Sequence, residues 1–325
     1  MSLPNELLLW IDSMIDSWQA LNSLARCNKR LYTILNPLLY QQDAQFGQCE
    51  ALFWAADTGS IKTAQLSLDS GADINTQRDR YPYLARTPIF QAVTRWCELG
   101  KVLKGPEPTP ELAEKYDHFI RFLLSRGADL NLVTKPRMNF CLSYACRYYP
   151  DLEVFRMLLE NGADPNLPVD AWGGTIVHEL VRLLAGTDPN HPNEFLEMLR
   201  LSLEHGGDPN ARNKRQVTPL HVATNLWRPS REDGGFAVVE RAQLLIEHGA
   251  DVNAKNYRGQ LPLTLVVLYK SPPLHKELVK ILVKNGTDTS LCSSPRRRED
   301  QEKLLRICDE ISESTGLKYE FIPFD

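Results

Sequence analysis

A block of about ten residues recurs six times along this chain, and it restricts the fold more than any other feature. It reads LSLDSGADIN around Gly71, FLLSRGADLN around Gly127, MLLENGADPN around Gly162, LSLEHGGDPN around Gly206, LLIEHGADVN around Gly249 and ILVKNGTDTS around Gly286. The steps between the glycines are 56, 35, 44, 43 and 37 residues. Each block reads as the end of a helix: adjacent apolar residues face a core, polar ones face water, and Gly supplies a left-handed C-cap before the chain turns out into Asp-x-Asn. Recurrence of one supersecondary unit means an array, because a single unit of this size cannot bury its own apolar face.

A second, shorter helix is expected upstream of most blocks. Its openings are Thr87-Pro88-Ile89-Phe90-Gln91-Ala92, Thr175-Ile176-Val177-His178-Glu179-Leu180, Thr218-Pro219-Leu220-His221-Val222-Ala223 and, more loosely, Leu52-Phe53-Trp54-Ala55-Ala56. Thr before Pro is helix-start chemistry, with the hydroxyl as cap and the ring in the first turn. These elements resemble the ankyrin repeat, whose Thr-Pro-Leu-His-x-Ala and Gly-Ala-Asp-x-Asn motifs are matched best by Thr218 to Ala223 with Gly249 to Asn253. The resemblance implies an all-α ankyrin-repeat solenoid of about six repeats over residues 41–292. The family step is about 33 residues, so extra segments are expected between paired helices, at Trp96 to Ala113, Leu184 to Asn193 and Trp227 to Phe236. The third and sixth repeats open with Asn139 to Ala145 and Gln260 to Leu265 in place of the Thr-Pro motif.

Terminal repeats of such an array need polar-faced caps. Within residues 293–325, the stretch Glu299 to Ser312 places Leu304, Leu305, Cys308 and Ile311 on one helical face, an amphipathic helix suited to capping the last repeat. Arg296 to Arg298 before it read as a solvated turn. Over residues 1–40, Leu3-Pro4-x-Glu6-Leu7-Leu8-x-x-Ile11 is followed by apolar stripes at Leu21 and Leu24 and at Leu31, Ile34, Leu35 and Leu38. This stretch resembles an F-box, the short helical module that docks a polypeptide on a Skp1-like protein in cullin-type ubiquitin ligases. The resemblance implies that Leu3, Pro4, Leu7, Leu8, Ile11, Leu21 and Leu24 would make that contact. The other reading of the same stripes is a helical cap on the array.

Composition narrows the function classes. The 325 residues carry 37 basic and 41 acidic side chains, a net charge of −4, which excludes wholesale coating of nucleic acid. The N-terminus has no basic n-region and is broken by Asp12 and Asp16, so neither a signal peptide nor a membrane span is expected. Seven scattered cysteines suit reduced thiols in cytoplasm or nucleus. Catalytic motifs are missing from the sequence. His178-Glu179 begins like His-Glu-x-x-His, but Arg182 stands where the second histidine is required. Cys141 and Cys146 form no Cys-x-x-Cys, and no P-loop, dinucleotide fingerprint or nucleophile elbow is present. No catalytic residue, metal or cofactor is expected, and His178 and His221 read as backbone ties at the repeat's own His position.

The ankyrin resemblance implies that the first helix of each repeat lines a concave groove. The outward positions there are Trp54, Asp57, Gln91, Arg95, Tyr144, Arg147, Tyr148, Glu179, Arg182 and Asn225, with Trp227 nearby. Trp, Tyr and Arg dominate binding hot spots, although Trp54 equally suits a gap between repeats. The turns between repeats collect Arg78, Arg80, Arg137, Arg212, Arg215 and Arg258, a basic edge expected to receive an acidic or phosphorylated protein segment or a small anion. The function expected from these readings is a protein-binding adaptor, the substrate-recognition subunit of an SCF-type cullin-RING ubiquitin ligase. The alternatives are a stand-alone ankyrin scaffold and an unconventional enzyme in which Asp57, Glu179 or His221 acts as acid or base.

Overall fold

A computed structural model describes residues 29–46, 48–78, 86–102, 110–132, 140–147, 151–184, 192–225, 235–268 and 272–288, with Arg306, Asp309 and Glu313 beyond them. The F-box-like positions Leu3 to Leu24 lie outside the described residues, as do Arg80, Arg137, Tyr148 and Trp227. Of the expected C-terminal helix, Arg306, Asp309 and Glu313 are described, and all three are helical and exposed. Thirteen helices are described, and the chain divides into two compact units, residues 1–136 and 137–325.

The first unit holds α1 (Lys29–Phe46), α2 (Glu50–Thr58), α3 (Ile61–Asp69), α4 (Pro88–Val102) and α5 (Pro110–Ser125). Helix α1 packs on α2 and α3 through the buried Leu35 and Leu39, so the expected boundary at residue 40 falls inside a helix. The α2 N-terminus has no Thr-Pro opening. Its first amides are capped from outside the repeat by Asp43, whose carboxylate accepts Glu50 N at 2.9 Å and Ala51 N at 2.8 Å. The segment Trp96 to Ala113 is not simply a loop insertion: α4 runs on to Val102 and α5 begins at Pro110. Trp96, Cys97 and Glu98 continue the helix, with Arg95 reaching Glu98 at 3.4 Å one turn on.

The second unit holds α6 (Cys141–Arg147), α7 (Leu152–Glu160), α8 (Ile176–Leu184), α9 (Pro192–Glu204), α10 (Pro219–Thr224), α11 (Gly235–Glu247), α12 (Pro262–Leu268) and α13 (Pro272–Lys284). Helices α6, α8, α10 and α12 pack in succession, and so do α7, α9, α11 and α13. Two helical layers result, with Ile176, Val177, Leu180, Leu220, Ala223 and Leu245 among the fully buried side chains. Among the described residues the strand-like pairing is confined to one bridge, Arg78 with Arg86 in the first unit.

The repeat glycines do what their sequence position requires. All six have φ between +84° and +96°, where a Cβ is costly. The following residue then closes the helix end, as in Ala72 N to Ser67 O at 3.1 Å and Ala250 N to Leu245 O at 3.0 Å. Gly207 stands where four other repeats have Ala, because a Cβ there would meet Ser202 O at 2.6 Å. Beyond the glycine, the Asp of the first five blocks folds its carboxylate onto the Asn two residues on, as in Asp208 Oδ1 accepting Asn210 N at 2.7 Å. That turn aims the Asn side chain at the next repeat. Asn166 Nδ2 donates to Gly206 O at 2.9 Å, Asn210 Nδ2 to Gly249 O at 2.8 Å and Asn253 Nδ2 to Gly286 O at 3.0 Å. The first unit repeats the contact from Asn75 to Gly127 at 3.3 Å.

Candidate functional site

Helix α2 presents Trp54, which is 55% exposed and so does not plug a gap between repeats. One turn on, Asp57 gathers the neighbouring helix: its Oδ1 accepts Arg95 Nε at 2.9 Å and also the Gln91 side-chain amide. Gln91 in turn accepts Arg86 Nη1 at 2.7 Å, and Tyr116 Oη donates to the Asp57 backbone carbonyl at 2.6 Å. Hydrogen bonding to Asp57 holds the Arg95 guanidinium above its ordinary pKa against the opposing effect of burial. Of the expected groove positions, the first unit therefore brings together Asp57, Gln91 and Arg95 beside an exposed tryptophan. Arg78 departs from the expected edge. Its side chain is tucked against Glu50 in an ion pair and lies over the Phe53 ring at 5.3 Å.

In the second unit Glu179 on α8 is 2% exposed, so it does not project into a groove. Its carboxylate receives Arg147 Nε at 2.9 Å, Arg182 Nε at 3.1 Å and Arg182 Nη2 at 2.5 Å. Burial pushes the Glu179 carboxyl up, but the Arg182 and Arg147 guanidinia outweigh it and hold it below the ordinary range. Tyr144 is likewise buried rather than outward. The surface at this point is formed by Arg147 and the more exposed Arg182, with Asn225 exposed at the end of α10. Cys146 behind them is fully buried and its thiol is pushed up by desolvation.

His178 and His221 are cross-repeat ties. His221 Nδ1 accepts Thr218 N at 3.2 Å and Nε2 donates to Gln260 O of the next repeat at 3.0 Å. His178 does the same with Thr175 N at 3.2 Å and Val217 O at 2.9 Å. A ring whose Nδ1 faces a backbone N–H must carry its proton on Nε2, so the two bonds fix the neutral tautomer. Burial lowers the pKa of both, more than the backbone carbonyl on Nε2 restores. All three acid–base candidates, Asp57, Glu179 and His221, are thus engaged in structural bonds. No group of three or more His, Cys, Asp or Glu among the described residues is arranged to hold a metal ion. No described helix is long and apolar enough to cross a membrane.

Three residues that the sequence reading did not single out stand out in the structure. Arg241 on α11 is 1% exposed and donates Nη1 to Val181 O at 3.0 Å and Nη2 to Ala223 O at 2.9 Å, closing the last turns of α8 and α10. Desolvation lowers its pKa to about 10. Trp172 and Tyr257, each 54% exposed, sit in the turns rather than on the helices. The guanidinium of Arg215 lies 4.4 Å from the Trp172 ring centroid, and that of Arg258 lies 5.2 Å from Tyr257. Arg212, Arg215 and Arg258 are exposed. The sequence signal for the aromatics was a ring two residues after Asp170 and one after Asn256, both at turn tips.

Comparison with known proteins agrees with this architecture. The Ankyrin repeat family matches residues 139–169 and 216–257. The ankyrin repeat and KH domain-containing protein mask-1 of Caenorhabditis elegans is 31% identical over 122 residues, 37% of this chain. The 2-5A-dependent ribonuclease of Mus musculus is 37% identical over 73 residues, 22% of this chain. The chain spans only 4% and 9% of those two relatives. An ankyrin repeat domain from Acinetobacter baumannii superposes with a TM-score of 0.51 at 20% identity, covering 72% of this chain and 97% of that one. The fold is all-α and is built of ankyrin repeats.

Proposed function

We propose that this chain is a non-catalytic binding subunit that holds a protein partner on the first helices of its ankyrin repeats. Ankyrin repeats make a protein-binding scaffold, and the observation that supports this use here is the exposed Trp54 beside the Asp57–Arg95 pair. A large ring with a polar rim and few rotors has the composition of a binding hot spot. The engagement of Asp57, Glu179 and His221 in structural bonds weighs against the enzyme reading, since none is free to exchange a proton with a substrate.

The finer reading is that of a substrate-recognition subunit of an SCF-type ligase, working in cytoplasm or nucleus. Residues 1–40 would hold a Skp1-like protein through Leu3, Pro4, Leu7, Leu8, Ile11, Leu21 and Leu24, and the repeats would hold the target, an acidic or phosphorylated segment. Its mechanism is effective concentration: a target bound on the repeats stays near the transfer centre without any chemistry by this chain. The test is co-purification of the full chain, of Leu7→Glu/Leu8→Glu and of Trp54→Ala/Arg95→Ala, with partners identified by mass spectrometry. The adaptor reading expects a Skp1-like protein lost only with the first variant and target proteins lost only with the second. Capture of no Skp1-like protein by the wild type ends the adaptor reading and leaves the scaffold. Identical partners on the wild type and on Trp54→Ala/Arg95→Ala end the assignment of this face.

A further inference from the structure

Three consecutive turn tips of the second unit are built alike. In each, an Asp or Asn carboxyl or amide oxygen anchors two backbone amides. Asp170 Oδ1 accepts Trp172 N and Gly174 N at 2.8 and 3.0 Å, Asn213 Oδ1 accepts Arg215 N and Val217 N at 2.9 and 3.0 Å, and Asn256 Oδ1 accepts Arg258 N and Gln260 N at 2.9 and 3.1 Å. The residue between the two anchored amides has positive φ in each tip, +76° at Gly173, +54° at Gln216 and +71° at Gly259. Successive tips are stitched by backbone bonds, Lys214 N to Trp172 O at 2.8 Å and Tyr257 N to Arg215 O at 3.0 Å. Trp172, Arg215 and Arg258 therefore occupy the same place on three rigid, adjoining tips.

The chemistry displayed there is unusual for a surface turn. Two guanidinia are stacked on two half-exposed rings, and neither Arg215 nor Arg258 has an acidic partner among the described residues. A guanidinium held over a ring keeps N–H donors with which its fork can make two bonds to a carboxylate. Residues 170–173, 212–216 and 255–259 carry five cations, Arg212, Lys214, Arg215, Lys255 and Arg258, against one acid, Asp170. The Asp170 carboxylate is already committed to backbone amides. On a chain of net charge −4 this is a local inversion of sign, which draws an acidic segment to the tips while the rest of the surface repels it.

We infer that the stacked pairs Arg215–Trp172 and Arg258–Tyr257 form a docking strip for an extended, carboxylate-rich protein segment. Resting on the binding role proposed above, the inference names the chemistry of one partner segment and seats it on the turn tips of the second unit. Glu and Asp side chains suit the strip because a carboxylate meets each guanidinium fork while its aliphatic stem covers the exposed edge of the ring beside it. Single-stranded nucleic acid fits less well. Each ring has one face occupied by an arginine, which leaves a nucleobase a single face to stack on.

The test is fluorescence anisotropy of a fluorescein-labelled deca-glutamate peptide titrated with the full chain. Saturable binding is expected, weakened at least tenfold by Arg215→Glu/Arg258→Glu and severalfold by Trp172→Ala and by Arg215→Lys. The last two matter most, because they leave the net charge intact or nearly so and alter only the stacked fork. Should the charge reversal lower the melting temperature, these two variants carry the comparison. Absence of saturable binding by the wild type overturns the inference, as does wild-type affinity in both Trp172→Ala and Arg215→Lys. Tighter binding of a ten-nucleotide oligo-dT, or of a phosphoserine peptide of equal length, overturns the choice of a carboxylate segment. Leu7→Glu/Leu8→Glu is expected to bind the peptide as wild type does, so loss of the Skp1-like partner and loss of the strip are separate results.

Discussion

Asn210 and Asp251 are hydrogen-bonded across a repeat boundary: Asn210 Oδ1 accepts Asp251 N at 2.7 Å while its Nδ2 donates to Gly249 O at 2.8 Å. One side chain thereby satisfies a donor and an acceptor that the turn of the next repeat leaves open, and Asn166 and Asn253 do the same at their own boundaries.

Asn210→Ala removes both bonds and leaves the carbonyl and amide of the following turn to water. Each such bond contributes about 1 kcal/mol, so a loss of about 1–2 kcal/mol is expected. Urea unfolding followed by far-ultraviolet circular dichroism measures it as a lower midpoint at unchanged slope. A midpoint equal to the wild type's would mean that the Asn row is ornament and that repeat coupling comes from helix packing alone.

Arg241 is a buried cation whose partners are the terminal carbonyls of two helices rather than a carboxylate. The negative ends of both helix dipoles compensate part of its charge. Arg241→Ala leaves a cavity and two unsatisfied carbonyls, a loss of about 3 kcal/mol or more. Arg241→Met fills most of the volume and removes the buried charge, so its loss is expected to be nearer 1 kcal/mol. Chemical denaturation of the two variants side by side decides the matter. Equal losses would show that the hydrogen bonds, and not the packing of the stem, hold this junction.

Stability should fall as the solution is acidified through the ordinary histidine range. His178 and His221 have pKa values lowered by burial, so below about pH 6.5 the unfolded chain takes up protons that the folded chain refuses, and unfolding gains. Above that range neither state binds the protons and stability is level. Asp43, whose pKa burial raises, works with the opposite sign but only nearer the carboxylate range. Urea midpoints at pH 7.5 and 5.5 should therefore differ, and His221→Asn should reduce the difference. An equal difference in wild type and variant would remove His221 from the account.

The repeats were legible because each is written in local chemistry. Gly at a left-handed position, Asp folding on Asn two residues later, and Thr218 capping with His221 are all settled within a few residues. What escaped the sequence was set by distance along the chain. The cap of α2 comes from Asp43, on the preceding helix, and Arg241 meets Val181 sixty residues away. The place of Glu179 beside His178 predicts an outward side chain, but Arg147 reaches it from the previous repeat. The turn aromatics Trp172 and Tyr257 belong to no helical period that would mark them in the sequence. Trp172 becomes notable only once Arg215, on the next tip, is seen lying on it.

The asparagine row also separates two lengths that are tied together in most folds. The same side-chain bond to a glycine carbonyl is made across 52 residues from Asn75, 40 from Asn166, 39 from Asn210 and 33 from Asn253. The number of residues in a repeat is thus free to grow where its two helices join, while the bonded row sets how far one repeat stands from the next. Such a chain can acquire or shed material at those junctions and keep its spacing, which makes them the natural places for this protein to differ from its relatives and for a designer to insert a tag.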